Sequence, residues 1–126
     1  YSLPLWPDAR RFEPGATNFL GVAGLEAVLD IYAEVGLDRV EAQVKYLSDR
    51  LAMGLVERGY RLAAPRDGEQ WSGIVSFSSD QHPSAGLVRR LAAAGVSVSL
   101  REGLVRVSPQ FYNDDEDLDR LFAALP

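Results

Sequence analysis

Between Phe19 and Val35 the chain carries only three charged side chains, Glu26, Asp30 and Glu34, and they fall four residues apart on one narrow line. The apolar residues Phe19, Val22, Leu25, Val28, Leu29, Tyr32 and Val35 recur at helical spacing, with Leu20, Ala27 and Ile31 filling a second flank. The spacing predicts a helix from Asn18 to Val35, with Asn18 as its cap. A helix that is apolar nearly all round must be covered nearly all round. In a chain of 126 residues, which supports one core, there are two ways to do that: this helix is the central core helix, or it docks onto a further domain.

The remaining elements follow from period and punctuation. Gly36 ends the first helix, and Asp38 with Glu41 offers a capping box for a second that runs to about Arg58. Val40, Val44, Leu47, Leu51 and Leu55 form its packed stripe; Glu41, Lys45, Asp49 and Arg50 form its wet face. Strands are predicted over Tyr60–Ala63 and Gly73–Phe77, separated by a polar loop through Pro65, Asp67 and Gly68. Pro83 opens a third helix that Gly95 closes. Val96–Leu100 and Leu104–Ser108 flank Glu102-Gly103, a two-residue loop that favours a tight hairpin. That loop pairs 101 with 104, 100 with 105 and 99 with 106, placing Val98, Leu100, Val105 and Val107 on one face. Asn113 with Glu116 is a further capping-box candidate, ahead of a last helix with Leu118, Leu121, Phe122 and Leu125 as its stripe. The fold class expected is α+β: a mainly antiparallel sheet of about four strands, with helices packed on one face, preceded by a long linking helix.

Charge and composition narrow the function classes. Thirteen basic against eighteen acidic residues give a net charge of -5, the wrong sign for neutralising nucleic-acid phosphates. Without cysteine there is no disulfide framework, thiolate metal site or cysteine nucleophile. No apolar run is long enough to span a membrane. The first fourteen residues hold Pro4, Pro7 and Pro14, which discourage helix and central strand, and the chain opens on Tyr1 as if cut from a longer protein.

Four features could carry chemistry. The hairpin register sets Arg101 and Arg106 on one face as diagonal neighbours, with Ser99 and Ser108 nearby. Such a pair is either solvated or built to hold an anion through bidentate hydrogen bonds. His82, the only histidine, is a general base or a plain polar side chain at a loop-to-helix junction, with no second histidine to build a metal site. The run Asp114, Asp115, Glu116, Asp117 has the look of a cation site, but in a first helical turn it more simply complements the macrodipole. Glu13–Asn18, EPGATN, is a turn whose backbone N–H groups suit a phosphate or are an ordinary helix lead-in. Trp6 and Trp71 read as packing residues.

Three segments in order resemble one family. Arg11-Phe12-Glu13-Pro14-Gly15-Ala16-Thr17-Asn18, followed by Gly21 and Gly24-Leu25, resembles the F-E-x-G-T-x-N…G…G-L passage of class V aminotransferases. These are the pyridoxal-phosphate family that includes cysteine desulfurases. Ser72-Gly73-Ile74-Val75-Ser76-Phe77 is similar to the family's S-G-I-V-S-F strand. Arg106-Val107-Ser108-Pro109-Gln110-Phe111-Tyr112-Asn113, then Glu116-Asp117, is similar to its R-x-S-x-x-x-Y-N-T-x-E-D segment.

The resemblance implies that 1–17 is a lead segment from an absent N-terminal large domain, and that 18–126 is the C-terminal small domain of a fold-type I enzyme. It implies a cytoplasmic homodimer acting on an amino acid with pyridoxal 5'-phosphate, whose Schiff-base lysine lies in the large domain. Transamination, lyase and epimerase chemistry all stay open. Arg106 matches the arginine that clamps the substrate carboxylate, and Arg101 a second active-site arginine of the desulfurase branch. The cysteine that follows that second arginine in the family is missing here, which argues against persulfide chemistry. The family's phosphate-contacting threonine is replaced by Ala16, leaving Gly15 and Thr17 as the contacts to the cofactor phosphate of a neighbouring subunit. Lys45, the only lysine, sits on a wet helix face, so this chain by itself should not catalyse. No metal site, nucleic acid or membrane is expected as a partner. The alternative is a stand-alone α+β interaction module that uses the apolar helix as its docking surface.

Overall fold

The computed structural model of the chain describes residues 4–12, 15–66 and 70–126. They divide into two compact units, one ending at Val35 and one running from Gly36 to Pro126.

The first unit holds a single 3-10 turn at Ala9–Phe12 and α1, Phe19–Val35. Asn18 caps α1 as expected: its Oδ1 accepts the Gly21 N–H at 3.0 Å. None of the α1 residues is buried, which removes the reading of this segment as a core helix. Trp6, expected to pack, is 58% exposed, with the Arg10 guanidinium 4.4 Å from its ring centre and Asp8 pairing with that arginine. Glu13 and Pro14, and with them the start of the EPGATN turn, lie outside the described residues.

The second unit runs α2 (Leu37–Glu57), β1 (Arg61–Leu62), β2 (Val75–Ser78), α3 (Ser84–Ala93), β3 (Ser99–Arg101), β4 (Leu104–Val107) and α4 (Asp115–Ala124). It is the α+β architecture expected, with one antiparallel sheet in the order β1-β2-β4-β3. Of the loop between β1 and β2, Asp67 and Gly68 fall outside the described residues.

Two helix starts differ from the sequence expectation. The Asp38 and Glu41 capping box does not form. Instead α2 begins from Gly36, whose φ of 91° is open to glycine alone, and whose carbonyl accepts the Arg39 and Val40 N–H groups. At α4 the box sits one residue later than Asn113 and Glu116. Asp114 accepts the Asp117 N–H at 3.1 Å, and Asp117 accepts back from the Asp114 N–H. Asn113 is used differently, accepting the Gln110 N–H and donating to Asp117. The acidic run is therefore a helix cap and first turn, as the dipole reading anticipated.

The hairpin register is the one the turn dictates. Arg101 lies opposite Leu104, Leu100 opposite Val105 and Ser99 opposite Arg106. Glu102 and Gly103 both adopt positive φ, 49° and 77°, the backbone of a type I′ turn. Alternation then decides which face packs. Val75 and Phe77 of β2 and Val105 and Val107 of β4 point into the core, where they meet Leu47, Leu51 and Leu55 of α2, Leu87 and Leu91 of α3, and Leu118 and Leu121 of α4. Leu100 was expected to join them but is 45% exposed, because β3 is the edge strand and the helices cover its end poorly. Helices thus cover one sheet face of this unit, and the polar alternates stand on the other.

Candidate functional site

The helix-free face is built from the residues that alternate away from the core. Ser76 pairs with Arg106, which pairs with Ser99, and the Ala63 N–H donates to the Ser76 carbonyl at 2.8 Å. Ser76, Arg106 and Ser99 therefore form one row across β2, β4 and β3, extended by Ala63 just past the end of β1. The next row, towards the hairpin turn, holds Arg61, Ser78, Leu104 and Arg101. Both predicted arginines are on the same face, diagonal neighbours offset by two residues along the strands, as the register required.

They differ in setting. Arg106 stands in the middle of the sheet and is half-buried, and its Nε is enclosed without a hydrogen-bond partner. Arg101 ends the edge strand and is exposed. Neither forms an ion pair among the described residues, although seven such pairs occur elsewhere among them. A guanidinium held by its neighbours, with an unused inward donor and serine hydroxyls on either side, is suited to a planar anion such as a carboxylate.

The other candidates separate from this site. Gly15 and Thr17 belong to the N-terminal unit; Gly15 has open space where a side chain would project, and the Thr17 carbonyl accepts the Phe19 N–H at 2.9 Å. His82 is half-buried, with its backbone N–H on the Ser79 hydroxyl at 3.2 Å. Its neighbour Asp80 is paired with Arg61 instead. Among the described residues no group of histidines and carboxylates could hold a metal ion, and no helix is long and apolar enough to cross a membrane.

Lys45 is not simply on a wet face. It pairs with Asp49 at 2.5 Å and lies 5.7 Å from the centre of the Trp71 ring. Sequence reasoning missed Arg66, which ties the β1–β2 connection to α2 by donating to Asp49 at 2.7 Å, to the Ser48 hydroxyl at 2.8 Å and to the Ser72 carbonyl at 2.7 Å. Burial works against the Asp49 carboxylate, but hydrogen bonds from Arg66 and Lys45 outweigh it and hold its pKa below the ordinary aspartate value. Only the proline and glycine of the surrounding loop hinted that this arginine had a special place.

The family profile described as aminotransferase class-V matches residues 5–121. The chain belongs to the class V aminotransferase family. Within this family it is 30% identical over 111 residues to an uncharacterized aminotransferase, YcbU, of Bacillus subtilis, covering 87% of this chain and 29% of that protein. It is 31% identical over 140 residues to a probable cysteine desulfurase of Pseudomonas putida, covering 99% of this chain and 34% of that one. The fold superposes on a cysteine desulfurase from Thermococcus onnurineus with a TM-score of 0.83 at 27% identity, over 98% of this chain and 34% of that chain. This class V aminotransferase chain thus spans about a third of the length of the relatives it matches.

Proposed function

We propose that this class V aminotransferase chain is the substrate-clamping small domain of a pyridoxal-phosphate enzyme acting on an amino acid, with Arg106 gripping the substrate carboxylate and Arg101 assisting. The observation that carries the reading is the Arg106 guanidinium on the open sheet face, with its Nε enclosed and unpartnered. A carboxylate arriving on that face presents two oxygens that match the two-pronged donor geometry of guanidinium.

Pyridoxal phosphate supplies an electron sink for bonds at the substrate α-carbon when it is bound. The residues of this chain do not supply the lysine that anchors it. Lys45, the one lysine, is paired with Asp49 and partly exposed. The lysine that holds the cofactor therefore belongs to a large domain outside this chain, and Gly15 and Thr17 contribute contacts to the phosphate in a neighbouring subunit of a cytoplasmic homodimer. The division of labour is favoured by α1, apolar nearly all round and without a buried residue, whose natural cover is that large domain. A stand-alone interaction module would use the same helix for docking, but it leaves the orphaned Arg106 donor without a purpose.

The test is Arg106→Ala and Arg106→Lys in the full-length cofactor-loaded protein. Loss of the two-pronged grip is expected to lower kcat/KM by about 2 to 5 kcal/mol in transition-state binding for alanine, with partial recovery for lysine. Unchanged kcat/KM in both variants removes Arg106 from the site.

A further inference from the structure

We infer that the acid held on the open sheet face carries a second carboxylate, received by Arg101, so that the substrate is an amino acid with an acidic side chain. The inference rests on the reading of Arg106 as a carboxylate clamp, and it gives Arg101 a task of its own beside that clamp. Its basis is the way the β3–β4 hairpin gathers unpaired positive charge. Arg106 lies opposite Ser99 and Leu104 lies opposite Arg101, so the two arginines are diagonal neighbours on the helix-free face. Diagonal neighbours across two strands stand about 7 to 8 Å apart, a separation that long side chains bridge.

The charge of this face runs against that of the chain. Eighteen acidic residues outnumber thirteen basic ones overall. Yet the two rows across the face hold Arg61, Arg101 and Arg106 among serines, an alanine and a leucine, and no carboxylate. Arg61 is neutralised by Asp80. Arg101 and Arg106 have no such partner among the described residues, and Glu102, which follows Arg101 in the turn, pairs with neither. Two like charges held on one hairpin repel. An acid with one carboxylate leaves that pair half neutralised, whereas an acid with two balances it, each carboxylate matching one guanidinium fork.

The surface between the two guanidiniums suits such a molecule. Ser99 and Leu104, both half-buried, are the other two corners of the square that the arginines define. A ligand stretched from Arg106 to Arg101 passes over them, its methylenes against Leu104 and either carboxylate within the reach of the Ser99 hydroxyl. The Glu102-Gly103 turn fixes the register, so the distance between the two acid positions is built into paired strands and not left to a loop. The two arginines contribute unequally. Arg106 is half-buried in the middle of the sheet, whereas Arg101 is exposed at the end of the edge strand, where water screens its pairing and makes it a selecting contact, not the main anchor.

Calorimetric titration of the full-length cofactor-loaded protein tests this. Succinate, glutarate and adipate are each compared with the monocarboxylate of the same carbon number: butyrate, valerate and hexanoate. At least one diacid is expected to bind about fivefold more tightly than its monoacid, the range of one exposed ion pair. That advantage is expected to vanish in Arg101→Ala. It is expected to persist in Arg61→Ala, which removes an arginine of the same face that Asp80 already neutralises. Both positions are exposed, so neither change touches the core. Three results overturn the second acid site and leave the clamp standing: diacids and monoacids that bind alike and are lost together in Arg106→Ala, a diacid advantage that survives Arg101→Ala, or one that Arg61→Ala abolishes equally, the mark of diffuse charge. Acid binding that is absent, or indifferent to Arg106→Ala, overturns the clamp itself, and the second site with it.

Discussion

Gly54 sits in the last turns of α2, where a helix would normally gain from alanine, and its replacement tests the packing of α2 on α4. A Cβ built on Gly54 runs into Cζ of Phe122 and lies 2.9 Å from Cε1, well inside van der Waals contact. The ring is not free to leave cheaply, because the Arg58 guanidinium lies 4.3 Å from its centre and donates at 2.9 Å to the Gly54 carbonyl. Two terms therefore oppose each other in Gly54→Ala. Helix propensity contributes up to about 1 kcal/mol in favour, while overpacking costs about 1 to 3 kcal/mol. The net expectation is a loss of about 0 to 2 kcal/mol. In a Phe122→Ala background the clash is gone and the same substitution is expected to stabilise by up to about 1 kcal/mol. Urea unfolding of the four members of this double-mutant cycle reads the coupling directly, provided the slope with denaturant is constant across the set. An equal gain from Gly54→Ala in both backgrounds would refute the close approach of the two helices at this point.

Asp114→Ala removes the true cap of α4 and is expected to cost about 1 kcal/mol in urea or thermal unfolding; a cost near zero places the cap elsewhere. Glu102→Asn relieves a positive φ in the hairpin turn and is expected to raise the unfolding midpoint, by roughly 0.5 to 1 kcal/mol. The Asp117 carboxylate is held below its ordinary pKa by the Asn113 amide and then the Asp114 N–H, and Asp49 is lowered as well. A depressed folded pKa stabilises fully above the unfolded value of about 3.9 and fades as pH falls through the lower folded value. The urea midpoint should thus drop below about pH 4, and less steeply in the Asp49→Asn, Asp117→Asn double variant; identical profiles would remove both groups from the acid transition.

The linear sequence determined most of the features set by local geometry. Period and punctuation placed four helices and four strands to within a few residues, and the two-residue loop at Glu102-Gly103 dictated the hairpin register, and with it the shared face of Arg101 and Arg106. Ordered motifs spread along the chain also gave the family. Those features depend on neighbours within a few positions or on identity of residues, and both can be read in one dimension. Tertiary structure alone decided the rest. Whether Asp38 or Gly36 starts α2, and whether Asn113 or Asp114 caps α4, turned on backbone angles that several polar residues in a row satisfy equally well in sequence. Leu100 lost its expected burial because β3 lies at the sheet edge, a matter of strand order. Arg66 found Asp49, Ser48 and Ser72 only once the loop had folded back on α2, and Ala63 and Ser76, thirteen residues apart, come to lie side by side only through strand pairing. Partners distant along the chain meet through packing, and no local pattern records which of them will meet.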